Sequence, residues 1–164
     1  VFVLTNQVLS PLEAYLSQAP KLLGINTINW QVEPIDFNSD AWQADFIVGE
    51  YTSDSILAVA SEQAVISLAH TGGDDETIDG AATCRHQLRI TSAASEAAVA
   101  RSNRDAAIVF IQYGLQNNEI TFPGLKWTGL YTLIARPQLQ YIKKDRVHIA
   151  PATVLMRLEN INRN

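Results

Sequence analysis

Cys84-Arg85-His86-Gln87-Leu88-Arg89-Ile90-Thr91 alternates without a break: Cys84, His86, Leu88 and Ile90 fall on one side, Arg85, Gln87, Arg89 and Thr91 on the other. Successive side chains of a strand point to opposite faces, so the stretch is a strand with one face for a core and one for water or a neighbouring subunit. Ser92-Ala93-Ala94-Ser95 then turns the chain, and a serine hydroxyl there can accept from the open amides of a first helical turn. This predicts a helix over about residues 95–115. Its core stripe is Ala97, Ala100, Ile108, Ile111 and Leu115, with Ala107, Phe110 and Gly114 on the adjacent face. Arg101 and Asp105, four apart, are placed to pair on the exposed side. The run Ala106-Ala107-Ile108-Val109-Phe110-Ile111 is apolar nearly all round, more than one sheet face needs. Deep burial and a subunit interface account for it equally well.

Working outward, residues 64–70 form an apolar strand before this unit, and residues 119–122, 131–135 and 147–159 read as strands after it, with Pro123-Gly124 as a turn. In the last of them Ala152, Val154, Met156 and Leu158 share one side, and Thr153, Leu155, Arg157 and Glu159 the other. The change from period two to helical spacing and back predicts an α+β fold: a mainly antiparallel sheet packed by one long helix, with an N-terminal helix, in a single domain over residues 1–164. Between the first two strands, residues 71–83 carry Gly72, Gly73, Asp74, Asp75, Glu76, Asp79 and Gly80 with almost nothing apolar. That composition predicts a flexible acidic loop, either mobile or ordered by a partner.

Before residue 64 the signals are weaker. Val1 to Thr5 reads as a short strand or arm. Ser10-Pro11-Leu12-Glu13 is a helix opening with Ser10 as cap, and Leu12, Tyr15, Leu16, Leu22 and Leu23 follow as an apolar stripe, kinked at Pro20 and ended at Gly24. Ile28, Trp30 and Val32 alternate in an extended segment that stops at Pro34. Phe46-Ile47-Val48 is strand-like, and Ser53-Asp54-Ser55 opens either a short helix or another strand.

With 164 residues, 47% of them hydrophobic and 18% charged, the chain suits one globular domain with a genuine core. The net charge of -5 and the absence of any dense Lys/Arg run argue against a surface built to neutralise phosphates. An acidic surface suits a conduit through which DNA slides without sticking. Cys84 is the sole cysteine, which excludes an internal disulfide. Val1-Phe2-Val3-Leu4 is too short for the apolar region of a signal peptide and no run is long enough to span a membrane, so a soluble protein is expected. The opening valine is compatible with a trimmed initiator methionine.

Asp36, Asp40, Asp45, Glu50 and Asp54 cluster near a strand as a metal-dependent nuclease would want, but no lysine lies between Lys21 and Lys126 to steady developing charge. His70, Cys84 and His86 would come together if their strands pair and would supply three zinc ligands, with the fourth unspecified. His148 has no evident acid partner. Thr71-Gly72-Gly73 lacks the Lys of a phosphate loop and is anionic, and the oxygen spacing that follows does not fit an EF-hand. No Gly-x-Ser-x-Gly occurs. The expectation is therefore a non-enzyme with no catalytic, cofactor or metal residues. The rivals left open are an enzyme with a dispersed carboxylate and histidine site, marked by a pocket converging on His70, His86 or the carboxylates of residues 36–50, and a monomeric binding module.

The order of elements over residues 64–159, with Ala64-Val65-Ile66-Ser67-Leu68, a polar loop, the strand of residues 85–91, a helix bearing Arg101 and Arg104, and a last strand over residues 147–158, resembles the tail terminator (tail completion) proteins of long-tailed bacteriophages, particularly contractile-tailed ones. Residues 36–60 have no counterpart in that pattern, which leaves another phage neck or tail connector protein open. The resemblance implies an α+β subunit of a six-membered ring in the virion, assembled in the host cytoplasm. Such a ring caps the last tail-tube ring, stops tube growth and meets tube, sheath and neck proteins, with DNA passing through its lumen and no membrane involved. A ring closes when each subunit's patch binds a different patch on the next. The long helix, the strand edges and the acidic loop are the expected sources of those patches.

Overall fold

The computed structural model describes residues 5–18, 27–30, 33–36, 46–78 and 81–160. Its elements are α1 (Thr5–Leu16), β1 (Thr27–Trp30), β2 (Glu33–Asp36), β3 (Ile47–Gly49), α2 (Ser53–Ala60), β4 (Val65–Ile78), β5 (Ala81–Ala94), α3 (Ala97–Gln116), β6 (Leu125–Ala135), β7 (Gln140–Ile142) and β8 (Val147–Asn160). β1 and β2 make a separate antiparallel ribbon, and the other strands form one sheet in the order β3-β4-β5-β8-β6, with β7 also on β8. Only β3 runs parallel to its neighbour, so the predicted α+β class and mainly antiparallel sheet are what forms.

The alternation in residues 84–91 sets the two faces. Leu68 pairs with Ile90 and Ile90 with Ala152; Leu88 pairs with Val154, His86 with Met156 and Cys84 with Leu158. These rows lie under α3, and every apolar member of them is buried. The apolar girth of α3 is consumed within the chain: residues 106–111 are all buried, with the sheet on one side and α1, which also touches β3 and β4, packed alongside through Val8, Leu9, Leu12, Tyr15 and Leu16. Deep burial thus accounts for the run, and it leaves that part of the helix no surface for a subunit contact. Tyr131 of β6 pins the far side by donating its hydroxyl to the Ile108 carbonyl at 3.2 Å.

The opposite face is covered only at one end. There α2 packs Ile56 and Ala60 on Val65, Ala93 and Val147. The serine-rich opening does begin a helix, capped one residue earlier than the serines: Thr52 Oγ1 accepts from the Ser55 amide while Ser55 Oγ accepts from the Thr52 amide.

Several expectations need correction. The acidic segment is not a loop but the outer half of β4, in register with β5 from Gly72 and Gln87 out to Ile78 and Ala81, with a bulge between His70 and Gly72; β5 is in turn paired with β8 as far as Thr83. A ladder of backbone bonds needs no apolar residues, which is why composition misled. α1 starts at Thr5 with Pro11 inside it, so Ser10 is not its cap. Residues 1–4, and Pro20, Leu22, Leu23 and Gly24 at the expected kink, stripe and stop, lie outside the described residues. Pro34 lies within β2 and does not end an extended segment. α3 is preceded by Glu96 with no side-chain cap, not by a capping Ser95. Residues 119–122 are no strand, only a bridge from Phe122 to Leu125.

Pro151 sits in mid-strand, where a missing amide usually breaks a sheet. β5 holds one edge of β8 throughout; on the other edge β7 takes residues 147–149 and β6 takes residues 153–160. Pro151 falls in the gap between these two partners.

Candidate functional site

The predicted histidine pair forms. The bulge keeps His70 beside His86, with Nε2 of His70 2.8 Å from Nδ1 of His86 and the rings 5.0 Å apart. Gly73 permits this, because a Cβ there would lie 2.9 Å from the Arg85 carbonyl and 3.3 Å from His86 Nδ1. One imidazole donates and the other accepts, which requires at least one of them neutral. Burial pushes His70 below the ordinary imidazole range. A zinc ion bridging two imidazoles at ~2.0–2.1 Å would hold their nitrogens farther apart than a direct hydrogen bond does. Cys84, buried two residues from His86, does not complete a set: no group of three His, Cys, Asp or Glu among the described residues is placed to hold a metal.

His148 stacks on Tyr141 of β7, with ring centroids 4.6 Å apart. Of the five carboxylates, Glu50 and Asp54 are exposed, Asp36 lies in β2, and Asp40 and Asp45 lie outside the described residues. A depression of about 830 Å³ forms a trough on the sheet face that α2 leaves open. Its floor is Ser67, Ala69, Arg89, Thr91, Pro151 and Thr153, and its walls are the first turn of α2 and the β6–β7 connection. No histidine lines it, and Asp54 is its sole carboxylate. The convergence on His70, His86 or the carboxylates of residues 36–50 that would mark an enzyme is not formed among the described residues. Ser67 is committed to structure: its hydroxyl accepts from the Tyr51 amide at 3.0 Å and donates to the Tyr51 carbonyl at 3.2 Å.

Sequence spacing missed a charge cluster at the end of β6. Asp105 Oδ1 receives Arg104 Nε at 3.1 Å and Arg136 Nη1 at 3.3 Å, and Arg104 also donates to the Pro137 carbonyl at 3.4 Å. The expected partner, Arg101, is exposed and makes no ion pair among the described residues. Two guanidinium groups therefore share one carboxylate, one of them buried and the other, Arg136, half exposed. The link spans 31 residues, so no local rule would find it.

The sheet ends in two short edges. β3 closes one side with Ile47 exposed; on the other, β7 and β6 present Tyr141 and Ile134 to solvent. These are the only large apolar side chains so exposed among the described residues.

The architecture has a counterpart among solved structures. A chain in the "virion of native gene transfer agent (GTA) particle" superposes with a TM-score of 0.51 over 93% of this chain and 98% of that one, at 14% identity. The two share a fold. No protein-family model matches the sequence, and no curated protein matches it.

Proposed function

We propose that this chain is a non-enzymatic virion protein, a single-domain tail terminator that assembles with copies of itself into a six-membered ring at the neck-proximal end of a phage-type tail tube. The observation that carries the reading is the near end-to-end fold likeness to a virion chain. The order of elements over residues 64–159 adds to it, as do two open sheet edges on opposite sides, which head-to-tail closure needs. In this role the ring stops tube growth, joins tube to neck, and lets DNA pass a lumen lined by more Asp and Glu than Lys and Arg, since fixed positive charge would retain phosphates.

Deleting the gene tests this. The expected outcome is filled heads with tails of irregular length. Tails of normal length that fail only to join would favour a connector at the neck. Particles with normal tails on heads would overturn both assignments.

A further inference from the structure

The two sheet edges are matched in position and opposite in charge. The row Ile47, Val65, Ala93, Ile149, Gln140 runs unbroken from β3 to β7, so these three-residue strands cap the same level of the sheet at its two sides. Ile47 donates its amide to the Ala64 carbonyl, which in a parallel ladder turns the backbone groups of Val48 outward. No described strand takes them. Following the pairings, β3 runs with β4 and β8, whereas β7 runs against them. A copy placed alongside in the same sense would therefore set β7 antiparallel to β3 and continue the sheet.

The flanks carry complementary charge at both ends of this seam. On the β3 side, Glu50 follows the strand and Glu62 stands in the turn before β4, both exposed and neither with an ion pair among the described residues. Across the sheet, Lys143 and Lys144 stand exposed in the turn from β7 to β8, at the end where β4 begins. Arg136 follows Ala135, which is in register with Thr153, near the level of Glu50: Gly49, Ser67, Thr91 and Pro151 form the adjacent row. Arg136 has only a shared carboxylate at home.

Building on the ring reading above, we propose that the subunit contact is this seam: β7 of one copy adds antiparallel to β3 of the next, Glu50 reaches Arg136, and Glu62 reaches Lys143 and Lys144. Two three-residue strands supply few backbone bonds, so they set register, while the charged flanks give the contact its partner choice, with Ile47 on one face of the seam and Tyr141 on the other. The contact is heterologous, as closure requires.

Charge reversal on each side, read by native mass and sedimentation of the whole chain, tests it. Lys143→Glu with Lys144→Glu makes both edges acidic; Glu50→Lys with Glu62→Lys makes both basic. Each pair is expected to raise the concentration for half-assembly about tenfold or more at low salt, with circular dichroism unchanged because all four residues are exposed. Mixing the two variants is expected to restore assembly, since each now offers the edge the other lacks. Separately, a chain carrying Ile47→Cys and Gln140→Cys, residues of the same row, is expected to give an oxidised ladder that ends at the ring size. Rings that survive both reversals and give no ladder would overturn the seam and leave the ring standing. A parent chain that stays monomeric at every concentration would overturn the seam and the ring together.

Discussion

Tyr15 of α1 donates its hydroxyl at 2.8 Å to Oε2 of Glu119, a residue 104 positions later in the turn that follows α3. The bond fastens the N-terminal helix to the far end of the central one. Burial, and then the Glu119 carboxylate, push the Tyr15 hydroxyl above its ordinary range, so it stays a donor through neutral and mildly alkaline pH. Tyr15→Phe keeps the ring and loses the bond, and because Glu119 is exposed its carboxylate regains water. The expected cost is about 1 kcal/mol in urea unfolding. No change would mean that ring packing alone holds α1.

At Gly114 α3 packs tightly against Tyr15 of α1. A Cβ there would lie 2.7 Å from Tyr15 Cζ and from Ile120 Cγ1 and Cδ1. Gly to Ala inside a helix ordinarily stabilises by about 1 kcal/mol. Here overpacking, at ~1–3 kcal/mol, is expected to win. Gly114→Ala should therefore lower the melting temperature, and adding Ile120→Ala should recover part of the loss. A more stable single variant would show that α1 simply moves away.

Asp105→Ala strips the carboxylate from Arg104, whose side chain is only 8% exposed. Leaving that guanidinium short of a partner is expected to cost roughly 1–3 kcal/mol. Arg101→Ala, at an exposed position, is expected to stay within about 0.5 kcal/mol of the parent. Denaturant midpoints decide, and equal losses would favour the pairing of residues 101 and 105 along the helix.

His70 titrates below its ordinary value of 6.5 in the folded chain because burial disfavours its charged form. Above pH 6.5 both folded and unfolded chains hold it neutral, and it adds no pH dependence. As pH falls below 6.5 the unfolded chain takes up the proton first, so stability drops until the folded pKa is passed and then levels. Melting temperature is expected to decline from pH 6.5 towards 5, and His70→Asn should flatten that decline. An unchanged slope in the variant would assign the effect to other groups.

Period-two alternation over residues 84–91 and 152–158, and the apolar stripe of α3, were enough to place the sheet, its buried face and the helix on it. A strand's pleat and a helix's turn write their periods directly into the chain, and burial punishes any departure from them. The same local signals failed at the acidic half of β4, where backbone ladders hold strands together with no apolar pattern to announce them. They failed at Ser95 too, since a helix entered from a strand can begin without a side-chain cap.

Tertiary structure alone decided which contacts cross the chain. The choice of Arg136 over Arg101 for Asp105, the packing of α1 alongside α3, and the matching of β3 with β7 at one level of the sheet all join residues far apart in sequence. Local spacing carries information only about neighbours within a few residues, whereas these relations depend on strand order and register. The α+β fold and its core face were properties of the sequence by itself; where the sheet's two open edges lie, and that their charges are opposite, emerged only once the strands were laid side by side.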